Sequence, residues 1–218
     1  MPLPLMCAFI IQEPYLRNDE SHTPHSCSPT DGNVAPVHMI FRTFLVWLRR
    51  HRGPKLGIHE VGRLPLRVVP TDLDVLGHMN NGVYLSIMDL GRMDAMQRSG
   101  AWAAISAAGF YPVAASETIS FRRSLQPWQR FVLETRIVGY DARAVYIEQR
   151  FVVGGELYAT GFVRAKFLKR TGGTVTVAEL AEVTGADPSE VHLPEWLSRW
   201  AADVAMPPSR AIAPSEWP

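Results

Sequence analysis

Residues 71–84 read T-D-L-D-V-L-G-H-M-N-N-G-V-Y, which sets a carboxylate, a glycine, a histidine and two asparagines directly ahead of a long apolar run. The apolar positions that follow, Tyr84, Ile87, Met88, Gly91 and Ala95, recur at three- and four-residue spacing, which predicts a helix from Asn81 to near Gly100 buried along one face. Asn80 or Asn81 would cap it. The free N–H groups at such a helix start favour developing negative oxygen, and Asp74 supplies a nearby carboxylate. That combination suits acyl transfer: Asp74 is the candidate nucleophile or base, and the amides around Asn81 and Gly82 are the candidate oxyanion site. Asn81-Gly82 also fits a hairpin turn. The helical period after it favours the cap, with glycine letting a carbonyl approach the backbone.

Outward from this stretch, Arg63 to Pro70 alternates apolar and polar residues and reads as a strand. Beyond the helix come four strand signals, at about 111–123, 128–139, 143–153 and 156–169, rich in Val, Ile, Phe, Tyr and Thr. Gln126-Pro127, Asp141-Ala142 and Gly154-Gly155 separate them. One strand, one long helix and a meander of strands is an α+β pattern in which about five antiparallel strands wrap the helix. The stretch after 176 carries A-E-L-A-E-V and P-E-W-L-S-R-W, two short helices expected outside the core.

At 218 residues, 47% hydrophobic and 20% charged, the chain has the composition of one globular domain. The expected divisions are an irregular extension over 1–38, a basic amphipathic helix and linker over 39–60, the domain over 61–170 and a tail over 171–218. Residues 12–36 are rich in Pro, Ser, Asp, Asn, His and Thr without apolar period, so disorder is expected there. Met39 opens a better-formed segment, and residues 39–52 could lie against a membrane surface. The first residues lack the basic region of a secretory signal. A net charge of +1 gives no electrostatic reason to expect a nucleic-acid partner. Both cysteines, Cys7 and Cys27, lie in the irregular stretch, which suits a reducing cytoplasm. His51, His59 and His78 have no metal-ligand spacing, and no phosphate-loop or G-x-S-x-G pattern occurs, so neither metal nor cofactor is expected.

The D-L-D and H-M-N-N letters resemble the catalytic loop of the hot-dog-fold acyl thioesterases, the 4-hydroxybenzoyl-CoA thioesterase-like group and the plant acyl-carrier-protein thioesterases. The pattern continues through F-R-R-S-L (121–125), E-T-R (134–136) and Y-I-E-Q-R-F-V (146–152), most fully in the animal member-six type of the thioesterase superfamily. The resemblance covers about residues 63 to 170. It implies a hot-dog fold, a homodimer or higher homo-oligomer, and hydrolysis of an acyl thioester of coenzyme A or acyl-carrier protein, with the aspartate attacking directly or activating water. In the plant enzymes the histidine matching His78 takes part in catalysis, whereas the 4-hydroxybenzoyl-CoA enzyme has an apolar residue there. The plant pattern also carries an asparagine where this chain has Leu76. A non-catalytic acyl-binding protein of the same fold is the rival implication.

Further residues carry two readings each. Tyr84 and Met88 could line an acyl pocket, although methionine at helical spacing is more often plain core. Glu117 alternates with Val113, Ile119 and Phe121 and so lies on the apolar face of its strand, where a carboxylate is paired or functional. Arg122, Arg123 and Arg143 could hold the phosphates of a leaving group or be solvated charge. The 4-hydroxybenzoyl-CoA enzyme has a basic run at the turn where this chain reads Asp141-Ala142-Arg143, so only Arg143 matches it. Asp89 and Arg92, one turn apart, are expected to form an exposed ion pair.

Overall fold

The computed structural model describes residues 42–44, 48, 54–207 and 211–215. The expected disorder over 1–38, both cysteines and most of the 39–52 segment fall outside the described residues.

The expected long helix is α1, Asn81–Arg98, and Asn80 caps it by accepting the Gly82 N–H at 2.8 Å. Gly100, in the left-handed conformation at φ 78°, ends its run and opens a short second helix, α2 (Ala101–Ala107). Five strands form one antiparallel sheet: β1 (Gly62–Arg67), β2 (Phe110–Phe121), β3 (Arg130–Tyr140), β4 (Ala144–Val153) and β5 (Glu156–Lys169). The order across the sheet is β1-β3-β4-β5-β2. β2 therefore pairs with β5, Phe110 opposite Lys169 and Phe121 opposite Ala159, and does not continue a meander into β3. The chain from β2 to β3 instead crosses one end of the sheet, pinned by fully buried Leu125, whose N–H donates to the Tyr84 hydroxyl at 3.0 Å.

The sheet wraps α1 as the resemblance implies. Ile87, Met88 and Leu90 pack against Leu64, Leu133, Phe151 and Val163 in the main core. The close approach is set by small residues. A methyl at Gly91 would collide with the Leu133 side chain, and one at Gly161 would lie 2.6 Å from Met88 Cε.

The C-terminal stretch forms two short helices that pack on the domain in apolar clusters apart from the main core. α3 (Val177–Thr184) buries Leu180 against Ala101, Ile105 and Phe167, and α4 (Glu195–Asp203) buries Leu197 and Ala201 against Ala144 and Tyr146 on the outer face of the sheet. β4 presents Ala144 and Tyr146 outward, alternating with Val145, Gln149 and Phe151 inward, so that face was apolar and had to be covered. His59, ahead of β1, ties that segment to the C-terminal stretch and to β3: Nδ1 lies 2.8 Å from Glu190 Oε2 and Nε2 2.8 Å from the Tyr140 hydroxyl.

Candidate active site

V-P-T-D (69–72) makes a single turn of tight helix with proline at its start and an acid at its third position, so that the acid reaches back to the chain before it. Asp72 is fully buried; its Oδ2 accepts the Val69 N–H at 2.8 Å and an Arg42 guanidinium N–H at 2.7 Å, while its carbonyl accepts the Asn80 N–H at 2.8 Å. One side chain thus fixes both the start of the candidate loop and the cap of α1. Sequence reasoning passed over Asp72, although proline followed two residues later by an acid is the pattern that could have marked it.

Between these anchors Asp74 and His78 close a tight turn. The Asp74 N–H donates to the His78 carbonyl at 2.9 Å and the Gly77 N–H to the Asp74 carbonyl at 3.0 Å, with Gly77 at φ 77° and Leu73 bridged to Met79 below. Asp74 Oδ1 accepts the Leu76 N–H at 2.9 Å. Its Oδ2 lies 3.3 Å from His78 Nδ1, close but not aligned as a hydrogen bond. Both side chains are partly open to solvent, so the carboxylate is held in place and still reachable.

The helix start divides differently from expectation. The Gly82 N–H is taken by the Asn80 carboxamide, and the Val83 N–H donates to the Asn80 carbonyl at 3.0 Å. The Asn81 N–H has no acceptor among the described residues. An oxyanion at this end would therefore meet Asn81 first, with Gly82 reached only if the cap side chain swung away.

Tyr84 and Met88 are corrected from substrate-binding to core. Tyr84 is buried edge-on against Phe121 and Phe151, burial pushes its hydroxyl pKa up, and that hydroxyl anchors the β2–β3 connection. Met88 fills the space beside Gly161. Glu117 faces α1, 2.9 Å from Arg92, and Arg92 is buried with Asp89 and Gln149 as its other partners, so Asp89 and Arg92 are not the exposed pair expected. Gln149 in turn donates to the Met88 carbonyl at 2.8 Å and Thr135 Oγ1 at 2.9 Å. Burial, reinforced by Glu117 and opposed by Arg92, raises the Asp89 pKa.

The three arginines are not one patch. Arg122 and Arg123 lie at the Asp74 end of the sheet and share Glu156, at 2.8 and 2.7 Å. Arg143 lies in the β3–β4 turn at the other end, its N–H donating to Asp141 Oδ1 at 2.7 Å. The ten-residue β4 separates the two ends by roughly 30 Å. Among the described residues no His, Cys, Asp and Glu group could hold a metal ion.

A model of the thioesterase-like superfamily matches residues 68–201. Protein THEM6 of Xenopus laevis is 46% identical over 85 residues, covering 39% of this chain and 41% of that protein. Protein THEM6 of Danio rerio is 39% identical over 143 residues, covering 61% and 68%. The chain thus matches less than half of the first of these relatives and about two thirds of the second. Among solved structures, the crystal structure of YbaW, a probable thioesterase from Escherichia coli, superposes with a TM-score of 0.53 at 19% identity, covering 55% of this chain and 93% of that one. This likeness shows the hot-dog fold.

Proposed function

The chain belongs to the thioesterase-like superfamily, and from that premise we propose that it hydrolyses an acyl thioester to a free acid and a thiol with Asp74 as the acting carboxylate. The observation that carries this reading is the Asp74–His78 turn, which presents a tethered carboxylate beside the start of α1. Asp74 either attacks the carbonyl carbon, expelling the thiolate and leaving a mixed anhydride that water cleaves, or takes a proton from the water that attacks. In both routes the carbonyl oxygen gains negative charge that the Asn81 N–H and the positive end of α1 stabilise. The Leu76 N–H fixes the Asp74 rotamer, and His78 Nδ1 stands 3.3 Å from the free carboxylate oxygen.

The thiol carrier is coenzyme A or acyl-carrier protein. Arg122 and Arg123 already neutralise Glu156, so a phosphate there would have to compete with a carboxylate. The working unit is a homodimer: among the described residues β2 leaves one edge of the sheet unpaired over twelve residues, and a second copy would satisfy it.

The test is turnover of a panel of acyl-CoA esters. Asp74→Asn, which keeps the shape and removes the anion, lowers kcat by at least about a hundredfold while circular dichroism stays native; His78→Ala costs about tenfold. Near wild-type turnover by folded Asp74→Asn would refute the mechanism and favour an acyl-binding protein.

A further inference from the structure

The geometry points to the Asp74 end of the molecule as a docking surface for a lipid bilayer bearing anionic headgroups. This inference does not rest on the thioesterase reading. The turn that Asp74 and His78 close ends in Val75 and Leu76, which are 101% and 75% exposed. Beside it hangs the β2–β3 connection, tied to the same loop by the Met79 N–H to the Leu125 carbonyl at 3.0 Å and the Trp128 N–H to the Val68 carbonyl at 3.1 Å. Trp128 is 58% exposed and sits at φ 64°, the one non-glycine residue in the left-handed region among those described. A bulky side chain resists that conformation, and an exposed indole contributes little to the core in return. Both costs make sense where the indole meets an apolar–polar boundary, the place tryptophan favours.

The charges at this end complete the surface. Arg67 and Arg130 stand directly opposite each other on β1 and β3, both exposed, and neither has an acidic partner among the described residues. Like charges so placed repel unless an outside anion joins them. Arg42 binds the Arg67 carbonyl at 2.9 Å, which brings its helical turn to this end, and Phe44 on that turn is also exposed. Apolar tips that protrude fit a deformable bilayer, whereas a protein partner would need matching pockets. A second copy docked through the same patch would bring two such arginine pairs face to face. Headgroup phosphates resolve that charge and the acyl layer takes Val75, Leu76 and Trp128.

Flotation of the full chain with phosphatidylcholine vesicles, with and without phosphatidylglycerol, tests this. Binding is expected only with the anionic lipid and should weaken in salt. Arg67→Gln and Arg130→Gln should each reduce binding about fivefold, and the double variant Val75→Ser/Leu76→Ser about tenfold. Trp128→Gly separates folding from docking: it relieves the backbone, so the melting temperature should hold or rise while vesicle binding falls. Equal binding to both vesicle types, or undiminished binding by Trp128→Gly and Val75→Ser/Leu76→Ser, overturns the proposal. So does a shift of these variants to a smaller oligomer in sedimentation, which would make the patch a contact between copies.

Discussion

Arg92, 5% exposed, is the only cation facing Asp89 and Glu117 among the described residues, and it also satisfies Gln149 Oε1 at 2.9 Å. Replacing it with Met leaves two carboxylates and a carboxamide unmatched in a half-buried niche, so urea melts should show a loss of about 3–5 kcal/mol. Asp89 gives a pH signature of known sign. Its pKa is raised above the ordinary 3.8, first by burial, so just above pH 3.8 the folded state retains more of this proton than the unfolded chain does. Stability from this group is full below 3.8 and is lost as pH rises through the raised value, and Asp89→Asn should remove that slope from melting temperature against pH. The sequence spoke unevenly at this scale. The turn that joins Asp74 to His78 is legible because its residues are close in sequence and bond locally. The Arg92 cluster draws Asp89, Glu117, Gln149 and Thr135 from four separate elements, and i,i+3 spacing names neighbours without saying which face is buried. Tyr84 misled because an aromatic one helical turn from the candidate loop fits both a pocket wall and a core.

Between α1 and the sheet, Gly91 is the contact that sets the spacing. Gly91→Ala would push a methyl into Leu133 and to 2.8 Å from Gln149 Nε2 and Thr135 Oγ1, costing about 1–3 kcal/mol by thermal or urea unfolding despite alanine's better helix propensity. At α3 the Thr176–Glu179 capping box is tied to β5: Lys169 Nζ lies 2.6 Å from Glu179 Oε1, and Lys169 first, then Thr176, hold the Glu179 pKa down at about 2. A depressed carboxyl stabilises above its ordinary 4.5 and loses that contribution as pH falls toward 2, so wild-type protein should lose melting temperature across this window more steeply than Glu179→Gln. Strand identities were readable from alternation and turn residues to within a few positions. The pairing of β2 with β5 was not, because alternation marks which residues face the core and carries no information on which distant strand lies alongside.

Across the whole molecule, chemistry and stability occupy different places. The candidate loop, the helix start and the unpaired β2 edge lie on the periphery, and association through that edge should appear as a dimer by sedimentation velocity; a stable, fully active monomer at micromolar concentration would contradict it. At the far side, Leu193 packs so closely on β3 that a methyl at Gly139 would lie 2.5 Å from its Cα, while Trp196 meets Phe162 edge-on at 4.8 Å between ring centres. β4 lies in the middle of everything: β3 and β5 flank it, α1 lies beneath and α4 above. Its amide hydrogens are therefore expected to exchange with deuterium only when the entire domain opens, whereas the Asp74–His78 turn, held by two short-range backbone bonds, should label far sooner. A ligand seated at Asp74 would slow labelling of that turn by an amount that reflects occupancy there, with the β4 signal as an internal clock for global opening.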